Sequence, residues 1–185
     1  MKVAGNGQGK VLTTAELKRL FSDGFIRDRD CCLFAICLFT GCRISEALAV
    51  QVTDIKNKTI TFRKSTTKGK LKTRTIDIPE PLKQYLDEYH PLDNPYNRHL
   101  FPSRKGLALS RSMADKILRA ACQRIGVEGV STHSFRRTAL TQMHNAGIPL
   151  RHIQEISGHN DLGTLQRYLE VSPEQRKQAV SVIGW

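Results

Sequence analysis

The sequence predicts a mostly helical single domain with one small antiparallel β-sheet. Three observations carry that expectation. Apolar residues recur at helical spacing along most of the 185 residues. The period drops to two only in two short β-branched runs, residues 58–63 and 73–78. No internal repeat, low-complexity tract or linker divides the chain. Hydrophobic residues make up 39% and charged residues 25%, a composition able to bury a core.

Residues 1–10 read as a polar, glycine-rich lead-in. Thr13 with Glu16 three residues later is the signature of a capping box, so a short helix starts there and stops around Asp23-Gly24. A longer helix is expected from about Arg27 to Thr40. It is apolar enough to be buried, with Leu33, Ile36, Cys37 and Thr40 on one face, and Gly41 breaks it. Ile44 to Val50 forms another short helix. Lys58–Arg63 and Thr73–Ile78 then alternate as two strands, joined by the polar, lysine-rich stretch from Lys64 to Lys72 with Gly69 in it: a β-hairpin with a basic tip. Pro79 ends the second strand, and Leu82–Tyr89 is helical. Residues 90–110 read mostly as loop. Helices follow at about Ser112–Ile125, Thr132–Asn145, Pro149–Ile156 and Leu162–Leu169, with a last one in Pro173–Ile183.

Lys plus Arg number 29 against 17 Asp plus Glu, giving a net charge of +12. Such an excess points to a polyanionic partner, and nucleic acid is the commonest. A membrane surface fits less well, because the basic residues are spread along the chain instead of lining one amphipathic helix or a polybasic tail. No stretch approaches the roughly 20 apolar residues of a membrane span, and Met1–Lys10 has no apolar signal-peptide core. The expected location is the cytoplasm, with the nucleoid. Five cysteines, an odd number with four in one apolar segment, read as buried reduced thiols and not as a disulfide framework or a metal site.

Four places hold residues suited to chemistry. Thr40-Gly-Cys-Arg-Ile-Ser-Glu46 puts Arg43 at a helix junction with Glu46 three residues on; alone it reads as a cap and a surface ion pair. His133-Ser-Phe-Arg136-Arg137 places His133 and Arg136 on one helical face, a pairing suited to a phosphate. A histidine moves protons near neutral pH and a guanidinium holds two phosphate oxygens, but the pattern alone is common. Gly158-His159 is followed nine residues later by Tyr168; a lone tyrosine there reads as half-buried core. The hairpin tip with Lys64, Lys68, Lys70 and Lys72 alone reads as a solvated turn.

Taken in order, these boxes resemble the tyrosine recombinase, or phage integrase, family. The resemblance rests on Thr40–Leu48, Thr132–Thr138 and Ile156–Leu169 and runs from about Leu12 to Val171. It implies the catalytic-domain fold of DNA breaking-rejoining enzymes, with a domain over residues 12–171, a flexible lead-in at 1–11 and a tail at 172–185 that packs in cis or in trans. It implies that Tyr168 attacks a scissile phosphate, leaving a 3′-phosphotyrosyl link and a free 5′-hydroxyl, so that religation needs no ATP. Arg43 and Arg136 then correspond to the two family arginines that bind the non-bridging oxygens. His133 assists proton removal from the tyrosine, and His159 hydrogen-bonds the phosphate. A hairpin lysine protonates the leaving oxygen; Lys68 matches the family spacing best and Lys70 is the alternative. Glu46 supports the arginine box, Arg137 serves structure or the DNA backbone, and Lys64, Lys70 and Lys72 are candidate DNA contacts. No metal or other cofactor is required.

Most members carry an N-terminal DNA-clamping domain. Either this sequence is an excised fragment or it is a short member, as the fimbrial-switch invertases are. The partners implied are double-stranded DNA target sites, further protomers in a tetrameric synapse, and accessory DNA-bending proteins. Integration, excision and inversion all remain open outcomes. A type IB topoisomerase, a DNA-binding regulator that has lost the reaction, and a plain basic nucleic-acid-binding domain are the competing readings.

Overall fold

The computed structural model describes residues 9–66, 72–90, 98–166, 177, 179–181 and 183. Leu12 enters the core and its N–H donates to Thr138 Oγ1 at 2.8 Å, which ties the start of the chain to a helix more than a hundred residues away. Helix α1 (Thr14–Arg19) opens with the capping box: Thr13 Oγ1 accepts from Glu16 N–H at 3.2 Å, and Glu16 Oε2 accepts from Thr13 N–H at 3.0 Å. Its continuation, Leu20–Gly24, widens into a π-helical turn.

Helix α2 (Asp28–Thr40) is the centre of the molecule. Cys32 to Cys37 are all fully buried, because α2 packs against both α4 (Glu80–Tyr89) and α6 (Thr132–Asn145). An aromatic row runs through the same core, with Phe25 stacked on Phe34 at 4.9 Å and Phe34 against Phe135 at 4.9 Å. Cys32, Cys37, Cys42 and Cys122 are buried and Cys31 is half-buried; all five are free thiols. Gly41 ends α2 in the left-handed region at φ 60, where a side chain would be strained. Helix α3 (Ile44–Leu48) follows, shorter at its end than the sequence suggests.

The sheet has three strands in the order β1-β2-β3, all antiparallel: β1 (Ile55–Lys56), β2 (Thr59–Phe62) and β3 (Arg74–Asp77). The expected hairpin is β2-β3, with Ile60 opposite Ile76 and Phe62 opposite Arg74. Strand β1 is an addition, and it changes the role of Lys58. Asn57 and Lys58 both have positive φ, 50 and 62, so they form the tight turn between β1 and β2, and the strand starts at Thr59. The expected tip residues Lys68 and Lys70 lie outside the described residues.

Helix α5 (Arg111–Ile125) covers the π turn, and Arg124 and Arg19 donate to the Gly24 and Ile125 carbonyls across that contact. Helices α7 (Leu150–Ser157) and α8 (Leu162–Gln166) finish the described domain. They rest on a second, small apolar cluster, Leu140, Ile153 and Leu165, beside α6. The expected extension of α8 to Leu169 and most of the expected last helix lie outside the described residues, although residues 179–181 are helical. Among the described residues no helix is long and apolar enough to cross a membrane.

Candidate active site

The site grows from one buried cation. Arg136, on the second turn of α6, is 1% exposed and is the largest fully buried side chain among the described residues. A buried charge is costly unless its hydrogen bonds are met. Here Nη1 donates to the Gly41 carbonyl at 2.6 Å and to the Ser157 carbonyl at 2.9 Å. Both acceptors sit at helix C-termini, where the dipole favours a cation. Burial first, and then the charge of Arg43, pushes the Arg136 guanidinium down to about 10, which still leaves it protonated at neutral pH.

Arg43 sits between α2 and α3, as its box suggested. Glu46, wholly buried, holds it twice: Oε2 accepts from Arg43 N–H at 2.9 Å and Oε1 accepts from Nη1 at 3.2 Å. The same carboxylate accepts from Arg74 Nη2 at 2.8 Å. Burial alone would raise the Glu46 carboxyl, but the bond and charge of Arg74, and then Arg43, hold it below the usual value.

Arg74 escaped the sequence reading, which placed it within the second strand and gave it no role. Its signal was present. In the alternation of β3, Arg74 shares a face with Ile76, the face that looks inward. Its guanidinium lies 4.5 Å over the ring of Phe62, its partner across the sheet. It also explains the glycine before His159. A Cβ on Gly158 would stand 2.9 Å from Arg74 Nη1, and Gly158 caps α7 at φ 68. The left-handed backbone favours glycine there, and a Cβ would also push the Arg74 guanidinium aside.

His159 follows that cap and is buried. Its carbonyl accepts from Gln154 Nε2 at 3.1 Å, and Ser157 Oγ lies 2.8 Å from its Nδ1. Arg136 Nη2 lies 3.0 Å from Nε2 and 3.3 Å from Nδ1. Burial first, then Arg136 and Arg43, pushes the imidazole down to about 3, so it is neutral at physiological pH. A cleft of about 820 Å³ opens over His159, lined also by Lys72, Arg74, Arg151 and Asn160.

The structure therefore brings Arg43, Glu46, Arg136 and His159 together, from three separate sequence boxes. His133 shares α6 with Arg136, on its first turn, and its own side chain is exposed. Lys64 and Lys72 are exposed at the base of the hairpin, and Lys64 N–H donates to Thr73 Oγ1 at 3.1 Å. Arg137 points elsewhere: its Nη1 donates to the Gly9 carbonyl at 2.9 Å, a structural tie for the start of the chain. Tyr168, Lys68 and Lys70 lie outside the described residues. Three guanidinium groups facing one carboxylate and a neutral imidazole leave this cluster with an excess of positive charge, which suits a phosphate.

Comparison with known proteins agrees with that chemistry. The phage integrase family model matches residues 10–175. The probable integrase/recombinase YoeC of Bacillus subtilis is 34% identical over 158 residues, 84% of this chain and 85% of its own length. The tyrosine recombinase XerC of Bifidobacterium longum is 32% identical over 80% of this chain but only 45% of its own, so this chain spans about half of that relative. In three dimensions, XerH recombinase bound to a palindromic difH substrate after cleavage superposes with a TM-score of 0.74 at 26% identity, over 96% of this chain and 55% of that one. By sequence, fold and the family boxes now seen clustered in space, the chain belongs to the phage integrase family and carries a tyrosine recombinase catalytic domain.

Proposed function

We propose that this chain cleaves and rejoins double-stranded DNA as a site-specific recombinase. The observation that carries the reading is the buried Arg136 held beside His159, with the charge of Arg43 acting on both, next to an open, positively charged cleft. The phenol oxygen of Tyr168 attacks the scissile phosphorus while the P–O5′ bond breaks. Its proton leaves with help from His133, and the 5′-oxygen takes one from a hairpin lysine, Lys68 or Lys70. Arg43 and Arg136 bind the non-bridging oxygens and stabilise the charge that builds there. The phosphodiester energy stays in the phosphotyrosyl bond, so the reverse attack by a 5′-hydroxyl reseals a strand without ATP.

Supporting roles follow from contacts. Glu46 holds Arg43 and, by accepting from Arg74 as well, links it to the hairpin that carries the candidate acid. Lys72 lines the cleft, Lys64 is exposed at the other arm of the hairpin, and both suit the DNA backbone. The catalytic unit is taken as residues 12–171, in keeping with Leu12 as the first core residue. Val180 and Ile183 are 67% and 80% exposed, which favours a tail over residues 172–185 that packs on a neighbouring protomer. Assembly of four protomers on two DNA sites is the family arrangement that would use such a tail.

The test is covalent trapping. A pool of nicked duplexes with randomised arms is incubated with the protein in chelator, and adducts that survive denaturation are recovered and sequenced. The reading expects protease-sensitive adducts enriched for one site, absent with Tyr168→Phe. Binding without adducts would leave a regulator that has lost the reaction. Adducts with relaxation of supercoiled DNA and no strand exchange would make it a topoisomerase.

A further inference from the structure

Glu46 is a buried carboxylate between two guanidinium groups, and its oxygens are divided unevenly. Oε1 accepts from Arg43 Nη1 at 3.2 Å, long for a charged hydrogen bond. Oε2 accepts from Arg74 Nη2 at 2.8 Å and from the Arg43 backbone N–H at 2.9 Å. An arginine alone with a carboxylate settles into a fork of two parallel bonds, and its charge is then spent on that partner. Here Arg74 holds the second place of the fork. Arg43 gives Glu46 one long side-chain bond, and its Nε and Nη2 have no partner among the described residues.

Arg74 itself is incompletely satisfied. Its side chain is only 9% exposed, and its Nε is buried without a hydrogen-bond partner among the described residues. A buried donor left open lowers stability. An apolar side chain of similar size would join β3 to α7 without that loss. What an apolar side chain would not supply is a positive charge against Glu46. Arg43, Arg74 and Arg136 give three positive charges and Glu46 one negative, a net of two. Without Arg74 the net is one, and Glu46 turns wholly to Arg43.

We propose that Arg74 is a positioning residue: it shares Glu46, so that Arg43 keeps its charge and its open donors for a phosphate oxygen. Its part in DNA cleavage rests on the recombinase reading; its effect on phosphate binding does not.

The experiment is titration calorimetry of the full chain with inorganic phosphate, reading the binding that Arg43→Ala abolishes. Wild type, Arg74→Gln, Glu46→Gln and the double variant are compared, and adduct formation on nicked DNA is measured beside each. Arg74→Gln should weaken phosphate binding about tenfold, the worth of a charged hydrogen bond, and slow adduct formation by a similar factor. Adding Glu46→Gln should recover most of both losses, because the carboxylate that had closed on Arg43 is gone. In the wild-type background the same substitution should change binding by less than about threefold, because Arg74 already holds the carboxylate. A residue that only braces the hairpin, or that touches the phosphate itself, gains nothing from the loss of Glu46. A double variant no better than Arg74→Gln therefore overturns the proposal, as do simply additive effects, or a wild type without Arg43-dependent phosphate binding. Should Arg74→Gln not fold, Arg74→Lys decides. Arg74 gives Glu46 a single bond, so an ammonium can replace it. Phosphate affinity within about threefold of wild type is expected, and a loss of about tenfold overturns the proposal. Should the wild type bind phosphate in this way yet form no adduct, the recombinase reading fails while the role of Arg74 stands.

Discussion

Arg43 and His159 stand on opposite walls of one site, and the two walls are built to different depths. Arg43 is flanked by Cys42, Ile44, Ala47 and Leu48, all part of the large core that includes α2 and the aromatic row. His159 leaves α7, whose anchor is Ile153 in a cluster with Leu140 and Leu165, edged by Met143, Leu150 and Leu162. Arg136 joins the walls, since one nitrogen binds the Gly41 carbonyl on the first and the Ser157 carbonyl on the second. The difference teaches that Arg136, the arginine proposed to bind phosphate, is also the brace of the thinner wall. Local opening of α7 and α8 would dismantle the site while leaving α2 and α6 intact.

Removing the brace should have the largest effect. Arg136→Ala is expected to cut adduct formation on the order of a hundred- to a thousandfold, because it takes away a preorganised donor to the developing charge. A loss below tenfold in single-turnover cleavage would separate the brace from the chemistry. Arg136→Lys should recover little, since one ammonium does not reproduce the fork that reaches two carbonyls and a phosphate.

Thinning the small cluster comes next. Ile153→Ala should cost roughly 2–5 kcal/mol locally. Hydrogen exchange should speed up in α7 and α8 but not in α2, with cleavage falling more than DNA binding. Equal loss of protection in α2 would show that the two walls unfold as one body.

A smaller, pH-dependent effect isolates His159. Its folded pKa, about 3, lies below the ordinary histidine value, so under acid the unfolded chain binds a proton that the folded one refuses. Stability from this group is complete above the unfolded pKa near 6.5 and declines as pH falls toward 3, by at most about 1.4 kcal/mol per pH unit. Glu46, lowered from 4.5, adds a loss of the same sign further down. Thermal melts of the wild type against His159→Gln between those two pKa values should show a shallower acid slope in the variant. An unchanged slope would mean that the imidazole is not shielded as the geometry requires.

Much of this was legible in the sequence, for physical reasons that differ from place to place. Thr13 with Glu16 announced α1 because a capping box satisfies donors that every helix start leaves open. Gly41 and Gly158 marked helix ends because both carry positive φ. Arg43, Arg136 and His159 were legible as ordered boxes, although nothing local says that α2, α6 and α7 converge. Strand β1 was not legible, because two residues show no period, and Lys58 looked like strand because a lysine with φ 62 is uncommon. Arg74 and Ser157 were missed because their partners, Glu46 and His159, are supplied by the fold and by an unexpected buried hydroxyl. The helical spacing that paired His133 with Arg136 is silent about depth: one is exposed and the other is sealed inside.

The most direct test of the account is the identity of the attached residue. Trapped adducts would be digested with nuclease and trypsin, and the peptide bearing the residual nucleotide sequenced by mass spectrometry. The account predicts a nucleotide joined through its 3′-phosphate to Tyr168, on the peptide that begins after Arg167, formed in the presence of chelator. A nucleotide on any other residue, or one attached through a 5′-phosphate, would contradict it.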